Sequence, residues 1–321
     1  MLQKSGIYWG VYMKQANEIE HKENFDLLPY NTLRVSSVAD DVYFPSTKDE
    51  FVLLLSNLDN PVIIGKGSNL LLSSYGIKRP VIITKHLNKV DIEPPLIEAE
   101  AGVPVSKLAE MALELKLHGF EFFSALPASL GGAVCMNAGA NTQAVSDYFI
   151  SAKVYDSIED KVKTFSKEDM NFTYRNSALK NQDRYILLSA KFELLYGDDY
   201  TSIESLMRDN VEKRKEFQPS LKDPNIGCVF KNPVNENNYS AGQLLDMCNL
   251  KSCPIGGAMV YFRHANFIIN FNNATSLDYL KLMKEMQNRV LEKFKIKLQP
   301  EVVYIGDNKN EVEIWKSLTT K

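Results

Sequence analysis

The sequence predicts an α+β protein, and three observations support this fold class. Short apolar runs typical of buried strands, such as PVIIG (61–65) and PVIIT (80–84), are followed by amphipathic segments typical of helices. Their order along the chain is too irregular for the strict strand–helix repeat of a doubly wound parallel sheet. Two prolines in QPSLKDPN (218–225) follow a charged helical stretch, so we place a candidate domain boundary there.

Capping and breaking residues set the limits of two helices in the first half of the chain. A helix is predicted over residues 46–58, with Ser46 as its N-cap and Asp49 completing a weak capping box. A second amphipathic helix is predicted over residues 104–119, with a proline in its first turn and a glycine as its stop. Residues 1–25 are polar and irregular, and we expect them to form a loose leader.

The rest of the chain continues to alternate between strands and helices. The predicted elements are a hairpin of 151–156 with 161–165, a strand over 185–195, a helix over 201–217, a helix near 240–249, a strand near 267–270, a long helix near 276–295 and a final strand in LQPEVVYIG (298–306). This arrangement is consistent with a mixed C-terminal domain after the boundary.

Composition excludes several classes of protein. The 321 residues carry a formal net charge of −3 and no long basic stripe, so we expect no nucleic-acid surface. The apolar run near the N-terminus is too short for a signal peptide, and no segment approaches the ~20 apolar residues of a membrane span. The four cysteines fit neither a disulfide framework nor a zinc site, and they are Cys135, Cys228, Cys248 and Cys253. We therefore expect a reduced, cytoplasmic protein with no metal site and no membrane partner.

Two loops rich in small residues are candidate phosphate-binding elements. GKGSNLLL (65–72) follows a buried strand directly, and ALPASLGGAVCMNAGA (125–140) places Gly131 and Gly132 near a helix start. Glycine permits close backbone approach, and a helix N-terminus favours an anion. Either loop alone is better explained as a tight turn packed on a core, since neither has Rossmann or P-loop spacing. The two together favour a large cofactor that carries phosphate.

An ordered set of motifs resembles the UDP-N-acetylenolpyruvoylglucosamine reductase family, also called UDP-N-acetylmuramate dehydrogenases. The resemblance extends from about Asn31 to Gly306, and its markers in order are NTLRV, PVIIGKGSNLLL, LPASLGGAVCMNAGA, FTYRNS, IGCVFKNP, AGQLLD, IGGAMV, HANFIIN and QPEVVYIG. These are flavoenzymes of bacterial peptidoglycan precursor synthesis. The short gap between Arg175 and Cys228 resembles the subclass without an extra loop that carries a substrate-clamping tyrosine.

The resemblance implies a fold and a set of ligands. The expected fold is a p-cresol methylhydroxylase-type FAD-binding domain over 26–200, in two α+β subdomains (about 26–85 and 86–200), followed by an α+β substrate-binding domain over 201–321. The implied ligands are non-covalent FAD, NADPH as co-substrate, and a UDP-sugar, and we expect a monomer. FAD would be bound by Gly65, Lys66, Gly67, Ser68, Asn69 and Leu70 of the first loop, and by Pro127, Ala128, Ser129, Gly131, Gly132, Asn137, Ala138 and Gly139 of the second.

The family's reaction reduces an enolpyruvyl ether to a lactyl ether, and it implies three catalytic residues. Hydride reaches the vinyl carbon, negative charge develops beside the carboxylate, and the neighbouring carbon then takes a proton. Cys228 stands where the family usually has a serine proton donor, and a free thiol (pKa ~8.5) is a stronger acid than an alcohol. Arg175 matches the catalytic arginine, and Glu301 matches the glutamate that helps stabilise the intermediate. Without the motif order, Cys228 would be read as a small buried hydrophobe, Arg175 as a surface side chain and Glu301 as a solvated one.

The same resemblance suggests residues that contact the substrate. Tyr174 matches the family's substrate-binding tyrosine. Lys231 and Asn232 would face the substrate or brace its loop. Weaker candidates for contacts with substrate phosphate are Lys251, Arg263 and His264. The histidine is better explained as structural, because the mechanism needs no imidazole.

The sequence departs from the family pattern at several loop positions. Ser36 and Ser37 replace a pair of glycines, Ala125 and Ala128 replace glycines of a turn, and residues 140–142 replace an AYG segment. An alanine at positive φ would cost about 1 kcal/mol, so these changes affect the expected flavin-loop geometry. Two alternatives remain open: another flavin oxidoreductase on the same fold, or a catalytically degenerate flavin-binding relative. Retention of all three catalytic positions argues against the second.

Overall fold

The structure is a computed structural model that describes residues 19–320 except 141, 181, 198 and 221. Its strands are β1 (Glu20–Asp26), β2 (Val38–Phe44), β3 (Val62–Ile64), β4 (Leu70–Leu72), β5 (Val81–Ile83), β6 (Val90–Glu93), β7 (Leu96–Glu100), β8 (Leu117–His118), β9 (Gly139–Ala140), β10 (Gln143–Ala144), β11 (Phe149–Asp156), β12 (Lys161–Ser166), β13 (Tyr185–Glu193), β14 (Leu195–Tyr196), β15 (Asn225–Cys228), β16 (Pro254–Ile255), β17 (Ala258–Val260), β18 (Phe267–Asn270) and β19 (Val303–Ile305). Its helices are α1 (Lys48–Asn57), α2 (Val105–Glu114), α3 (Leu130–Cys135), α4 (Val145–Tyr148), α5 (Tyr200–Phe217), α6 (Ala241–Met247), α7 (Ser276–Phe294) and α8 (Lys309–Thr319).

Three larger sheets organise the described chain, in agreement with the predicted α+β class. The first has the order β1-β2-β5-β3, in which β2, β5 and β3 are parallel. The second is antiparallel with the order β12-β11-β13-β7-β6, and it contains the predicted hairpin of β11 and β12. The third is antiparallel with the order β15-β18-β17-β16. The parallel pair of β19 with β4 brings the C-terminal part of the chain back to the first glycine loop.

The buried apolar side chains of the described residues form four clusters, one of which joins the first sheet to the second through Ile82, Tyr155 and Leu188. The second sheet packs against α2 and α3 through residues such as Phe149 and Phe192. The third sheet packs against α6 and α7, and the buried positions of α7 recur with helical spacing along its predicted length. No helix among the described residues is long and apolar enough to cross a membrane.

Several predicted element limits need correction. The N-cap of α1 is Thr47, one residue later than expected, and its hydroxyl accepts from the N–H of Glu50. The Glu50 carboxylate accepts from the N–H of Ser46, so the expected capping box does not form. Helix α2 ends at Glu114, because Lys116 takes the left-handed conformation (φ 55°) before the chain enters β8. Residues 20–25 of the expected leader lie in β1, which pairs with β2. Residues 1–18 of that leader lie outside the described residues.

The C-terminal helix α8 was not predicted, and a buried carboxylate attaches it to the rest of the molecule. Glu311 is completely buried and accepts hydrogen bonds from three hydroxyl groups. Ser73 Oγ donates at 2.6 Å and Tyr304 Oη at 2.8 Å, and Ser276 Oγ donates to the other oxygen. Because these donors belong to the ends of β4, β19 and α7, the carboxylate fixes the strand that follows Glu301.

Candidate active site

A cavity of about 1480 Å³ lies between the three sheets. It is lined by both glycine loops, by Cys228 at the end of β15, and by Arg175 and Glu301. A further arm of the cavity extends between residues 55–63 and 182–187, which the sequence did not suggest as part of the site. The volume exceeds that of a typical small-ligand pocket, roughly 300–1,000 Å³, so the cavity can hold a dinucleotide together with a second molecule.

The first glycine loop approaches the second so closely that side chains are excluded. A Cβ added at Gly65 would lie 2.0 Å from Ser129 Oγ. Gly67 has φ +62°, and a Cβ there would lie 2.2 Å from the carbonyl oxygen of Tyr30. Asn69 donates its side-chain N–H to the carbonyl of Glu301 at 3.1 Å. The loop is therefore a tightly packed part of the cavity wall, and it also contacts the backbone of Glu301, a predicted catalytic residue.

The second loop begins helix α3 as predicted, but two of its backbone donors are already used. The N–H of Leu130 donates to the carbonyl of Val103, and that of Gly131 donates to the carbonyl of Ala101, both at 2.8 Å. These groups cannot bind a phosphate in this geometry, so the expected anion site at the helix start loses two donors. The backbone approach itself needs glycine, because a Cβ at Gly139 would lie 2.4 Å from the carbonyl of Gln143.

The expected backbone strain is absent at the alanines. Ala125 ends a 3₁₀ turn, and neither it nor Ala128 nor Ala140 lies in the left-handed region, so alanine fits these positions. The strain falls instead on Thr142, which has φ 72° where the family pattern has glycine. A β-branched residue is unfavourable at positive φ. Asn141 lies outside the described residues.

Arg175 and Glu301 form an ion pair on the cavity wall. Arg175 Nε lies 2.9 Å from Glu301 Oε1, and Arg175 Nη1 donates to the carbonyl of Gly139 at 3.1 Å. The buried Nε–H is not aligned with the carboxylate and makes no hydrogen bond within the described chain. The contact with Glu301 and the hydrogen bond to Gly139 together hold the guanidinium at the cavity wall. The second loop also contacts this turn, since Asn137 Nδ2 donates to the carbonyl of Thr173 at 3.1 Å.

Burial changes the acidity of the cavity groups. Burial and, to a smaller extent, the Glu301 carboxylate raise the pKa of Cys228 to about 12, against the opposing effect of Arg175 and Arg214. Burial also raises the pKa of Glu301, and Arg175, Lys180 and Lys231 oppose that shift. The thiol is thus a weaker acid than the free-cysteine value suggests, and it stays protonated at neutral pH. Burial therefore reduces the advantage in acidity that the free-thiol pKa gives Cys228 over an alcohol.

The predicted substrate residues are only partly brought together. His264 lines the cavity, with Nδ1 accepting from the N–H of Asn266 at 3.2 Å, and burial lowers its pKa. Five others lie outside the cavity lining: Tyr174, Lys231, Asn232, Lys251 and Arg263.

The contacts of these outlying residues differ. Lys231 is electrostatically coupled to Glu301. Asn232 Oδ1 accepts from the N–H of Ala241 at the start of α6, which is a structural contact. Lys251 pairs with Asp246 at 2.7 Å, and the Arg263 guanidinium lies 5.3 Å from the ring of Phe262. Tyr174 is 58% exposed beside Arg175.

The sequence analysis missed four basic residues of the cavity lining, Arg79, Lys180, Lys213 and Arg214. Lys180 and Arg214 have hydrogen bonds that place them at the predicted site. Lys180 Nζ donates to the carbonyl of Arg175 at 3.0 Å. Arg214, on α5, donates Nη1 to the carbonyl of Ala125 at 3.0 Å and acts electrostatically on Cys228. Neither residue lies in a glycine loop or beside Cys228 in the sequence. The FTYRNSALK segment, in which Lys180 follows Arg175 by five positions, was the available signal for the first.

Comparisons with known proteins agree across the chain. Residues 218–305 match the model of the UDP-N-acetylenolpyruvoylglucosamine reductase C-terminal domain, and residues 42–164 match an FAD binding domain. The UDP-N-acetylenolpyruvoylglucosamine reductase of Caldanaerobacter subterraneus is 37% identical over 282 residues, covering 87% of this chain and 91% of the relative. That of Caldicellulosiruptor bescii is 37% identical over 303 residues, covering 92% and 94%.

A solved structure is also similar. The crystal structure of UDP-N-acetylenolpyruvylglucosamine reductase from Thermus caldophilus has a TM-score of 0.76 and 28% identity, and the match covers 90% of this chain and 99% of that one. The resemblance and the p-cresol methylhydroxylase-type α+β fold predicted from the motifs are thereby confirmed. The chain belongs to the UDP-N-acetylenolpyruvoylglucosamine reductase family.

Proposed function

We propose that this protein is an FAD-dependent reductase that uses NADPH to convert UDP-N-acetylglucosamine enolpyruvate to UDP-N-acetylmuramate in peptidoglycan precursor synthesis. One observation carries the proposal: Arg175, Cys228 and Glu301 are far apart in the sequence, yet they line one cavity with both glycine loops. We further propose an FAD-binding domain over 26–200, a substrate-binding domain over 201–321, and a monomer that works in the cytoplasm.

The cavity fits a flavin dinucleotide. The two loops pack together where a Cβ at Gly65 would clash with Ser129 Oγ, and glycine leaves the backbone of these loops accessible to a bound diphosphate. The predicted loop residues 65–70 and 127–139 would hold FAD there, through backbone groups other than the N–H groups of Leu130 and Gly131. Bound FAD supplies hydride transfer between NADPH and the substrate.

Arg175 and Glu301 would act on the charge that develops in the substrate. The guanidinium is a cation in the cavity lining, and a carboxylate turning into an enolate-like group is a suitable partner for it. Glu301 keeps the arginine side chain at the cavity wall through the 2.9 Å contact of their Oε1 and Nε atoms. Because both residues are held by backbone contacts to the loops, little reorganisation is needed when the charge appears.

Cys228 would donate the proton to the carbon beside the ether oxygen. Its raised pKa, about 12, keeps the proton on sulfur at neutral pH until a strongly basic carbon is formed. A thiolate formed too early would be unable to complete the reaction. The thiol therefore replaces the family's serine as a proton donor that is retained by burial and by the neighbouring carboxylate.

The decisive experiment separates the two half-reactions. Cys228→Ala should leave reduction of bound FAD by NADPH nearly unchanged and slow its reoxidation by UDP-N-acetylglucosamine enolpyruvate by about 10²–10⁴-fold, the usual contribution of a general acid. Arg175→Ala should affect the same half-reaction. Cys253→Ala is the matched control, because this cysteine packs against the C-terminal core outside the cavity lining.

Two results would contradict the proposal. Equal slowing of both half-reactions in Cys228→Ala would remove its role as proton donor. Bound flavin that NADPH reduces but this substrate does not reoxidise in the wild-type protein would point to another flavin oxidoreductase on the same fold. A protein that binds no FAD at all would favour the degenerate relative.

A further inference from the structure

Arg175 lies in a tight turn that is unfavourable for its side chain. Thr173 and Asn176 close the turn with two mutual backbone hydrogen bonds, both 3.1 Å long. Arg175 takes φ 54°, a left-handed conformation that glycine adopts freely and an arginine adopts only when its surroundings enforce it. The direction of the guanidinium therefore depends on whatever holds this turn.

Asn137 contacts the turn at Thr173, and Lys180 contacts it at Arg175 itself. Its Nζ donates to the carbonyl oxygen of Arg175 at 3.0 Å, directly at the strained peptide. The lysine backbone is itself fixed, because its N–H donates to the carbonyl of Ser177, whose hydroxyl donates to the carbonyl of Cys135 at the end of α3. A charged ammonium makes a stronger hydrogen bond to a carbonyl than a neutral amine does.

The titratable groups that act on Lys180 belong to three other parts of the chain. Lys231, after β15, and Cys135, on α3, face it together with Glu301, before β19. Burial and, to a smaller extent, Lys231 lower the pKa of Lys180 to about 8, against the opposing effect of Cys135 and Glu301. Within the described chain its ammonium lies within 4.0 Å of no carboxylate, so the carbonyl of Arg175 is the hydrogen-bond acceptor that the geometry gives it.

We propose that Lys180 is a positioning residue, which fixes the Arg175 turn so that the arginine points at Glu301 and at the reacting end of the substrate. This inference rests on the proposed function, because it assigns Lys180 to the step that Arg175 supports. Loss of the lysine charge weakens the hydrogen bond to the turn. Reoxidation of the flavin therefore slows as the pH rises through the range in which Lys180 deprotonates.

The test compares Lys180→Met, Lys180→Arg and Arg175→Ala in the FAD-loaded protein, with Lys281→Met on the exposed face of α7 as the control. Lys180→Met should slow reoxidation at saturating substrate about tenfold to a hundredfold, the cost of misplacing a catalytic group, and leave reduction by NADPH unchanged. Lys180→Arg should retain most of the rate. It should also lose the alkaline decline near pH 8, because guanidinium stays charged.

Each other outcome overturns the proposal. A wild-type-like rate in Lys180→Met, or an alkaline decline that persists unchanged in Lys180→Arg, would exclude the positioning role. A rise in KM for the UDP-sugar with an unchanged limiting rate would make Lys180 a substrate contact instead. If Arg175→Ala leaves the rate of flavin reoxidation unchanged, the proposed function of the arginine is wrong. If Arg175→Ala slows reoxidation but the Lys180 variants do not change it, only the inference about Lys180 is wrong. Should Lys180→Met not fold, the pH profile of Lys180→Arg still decides.

Discussion

The thiol of Cys228 should react with iodoacetamide only slowly, and the structure gives the size of the effect. Alkylation proceeds through the thiolate, and the pKa of this thiol is raised from 9.0 to about 12. Three pKa units reduce the thiolate fraction at pH 8 about 10³-fold, but a more basic thiolate is intrinsically more nucleophilic, with a Brønsted coefficient of ~0.4–0.5. The net expectation is a rate about thirty- to sixtyfold below that of an ordinary cysteine.

The assay follows the Cys228 peptide by mass spectrometry after timed alkylation of the FAD-loaded protein between about pH 7 and about pH 10.5. The same protein unfolded in urea supplies the reference rate. Poor access of the reagent would lower the alkylation rate at every pH, but the rate would still level off above a pH of ~8.5, as it does for an ordinary thiol. A raised pKa instead makes the rate climb throughout the range, so the shape of the profile separates the two causes.

Two variants should shift the profile in opposite directions. Glu301→Gln removes a carboxylate that raises the Cys228 pKa, so alkylation should become faster. Arg214→Met removes a cation that lowers it, so alkylation should become slower. A plateau below about pH 10 in the wild-type protein, or slower alkylation of Glu301→Gln, would refute the reasoning that burial and Glu301 retain this proton.

Two further predictions concern stability in the C-terminal region, measured by urea unfolding. Glu311→Ala should lower the free energy of unfolding by about 3 kcal/mol or more, because three hydroxyl groups lose their acceptor at about 1–3 kcal/mol each. Glu313 is exposed, so Glu313→Ala should change stability little, and an equal loss in both variants would contradict the prediction. Lys295→Gly should raise the free energy of unfolding by about 0.5–1 kcal/mol, because Lys295 ends α7 at φ 59°, a conformation that glycine adopts without strain. Lys281→Gly inside the same helix should lower the free energy of unfolding by about 1 kcal/mol. A loss of stability in both variants would show that the left-handed end carries no strain.

The sequence predicted the elements whose signals are local and periodic. Helix α7 has a long amphipathic pattern and a capping threonine, and it lies within a residue of its predicted limits. Helix α2 ends earlier than predicted because Lys116, with no glycine signal, takes the left-handed conformation. The predicted catalytic residues depended on the order of motifs along the chain, since Arg175 or Glu301 alone resembles a surface residue.

The features that sequence could not supply arise from contacts between distant segments. The N–H groups at the start of α3 looked free for an anion, yet the carbonyls of Val103 and Ala101 occupy two of them. Lys180 gives no motif of its own, and its importance appears only when its ammonium reaches the carbonyl of Arg175. The acidity of Cys228 likewise depends on burial, and the residues beside it in the sequence do not show how deeply it is buried.

The thiol of Cys228 is compatible with the proposed reaction because its burial and the nearby Glu301 carboxylate keep it protonated. An exposed cysteine would lose its proton to solvent at mildly alkaline pH and leave no donor for the substrate carbon. Burial and Glu301 raise the pKa of Cys228, while the same carboxylate pairs with Arg175. A thiol with a raised pKa can still protonate a carbon beside an enolate-like group, because that carbon is far more basic than water. We therefore infer that Glu301 would have two effects in the proposed reaction. It positions Arg175 through their ion pair, and it keeps Cys228 protonated until the proton is transferred to the substrate carbon.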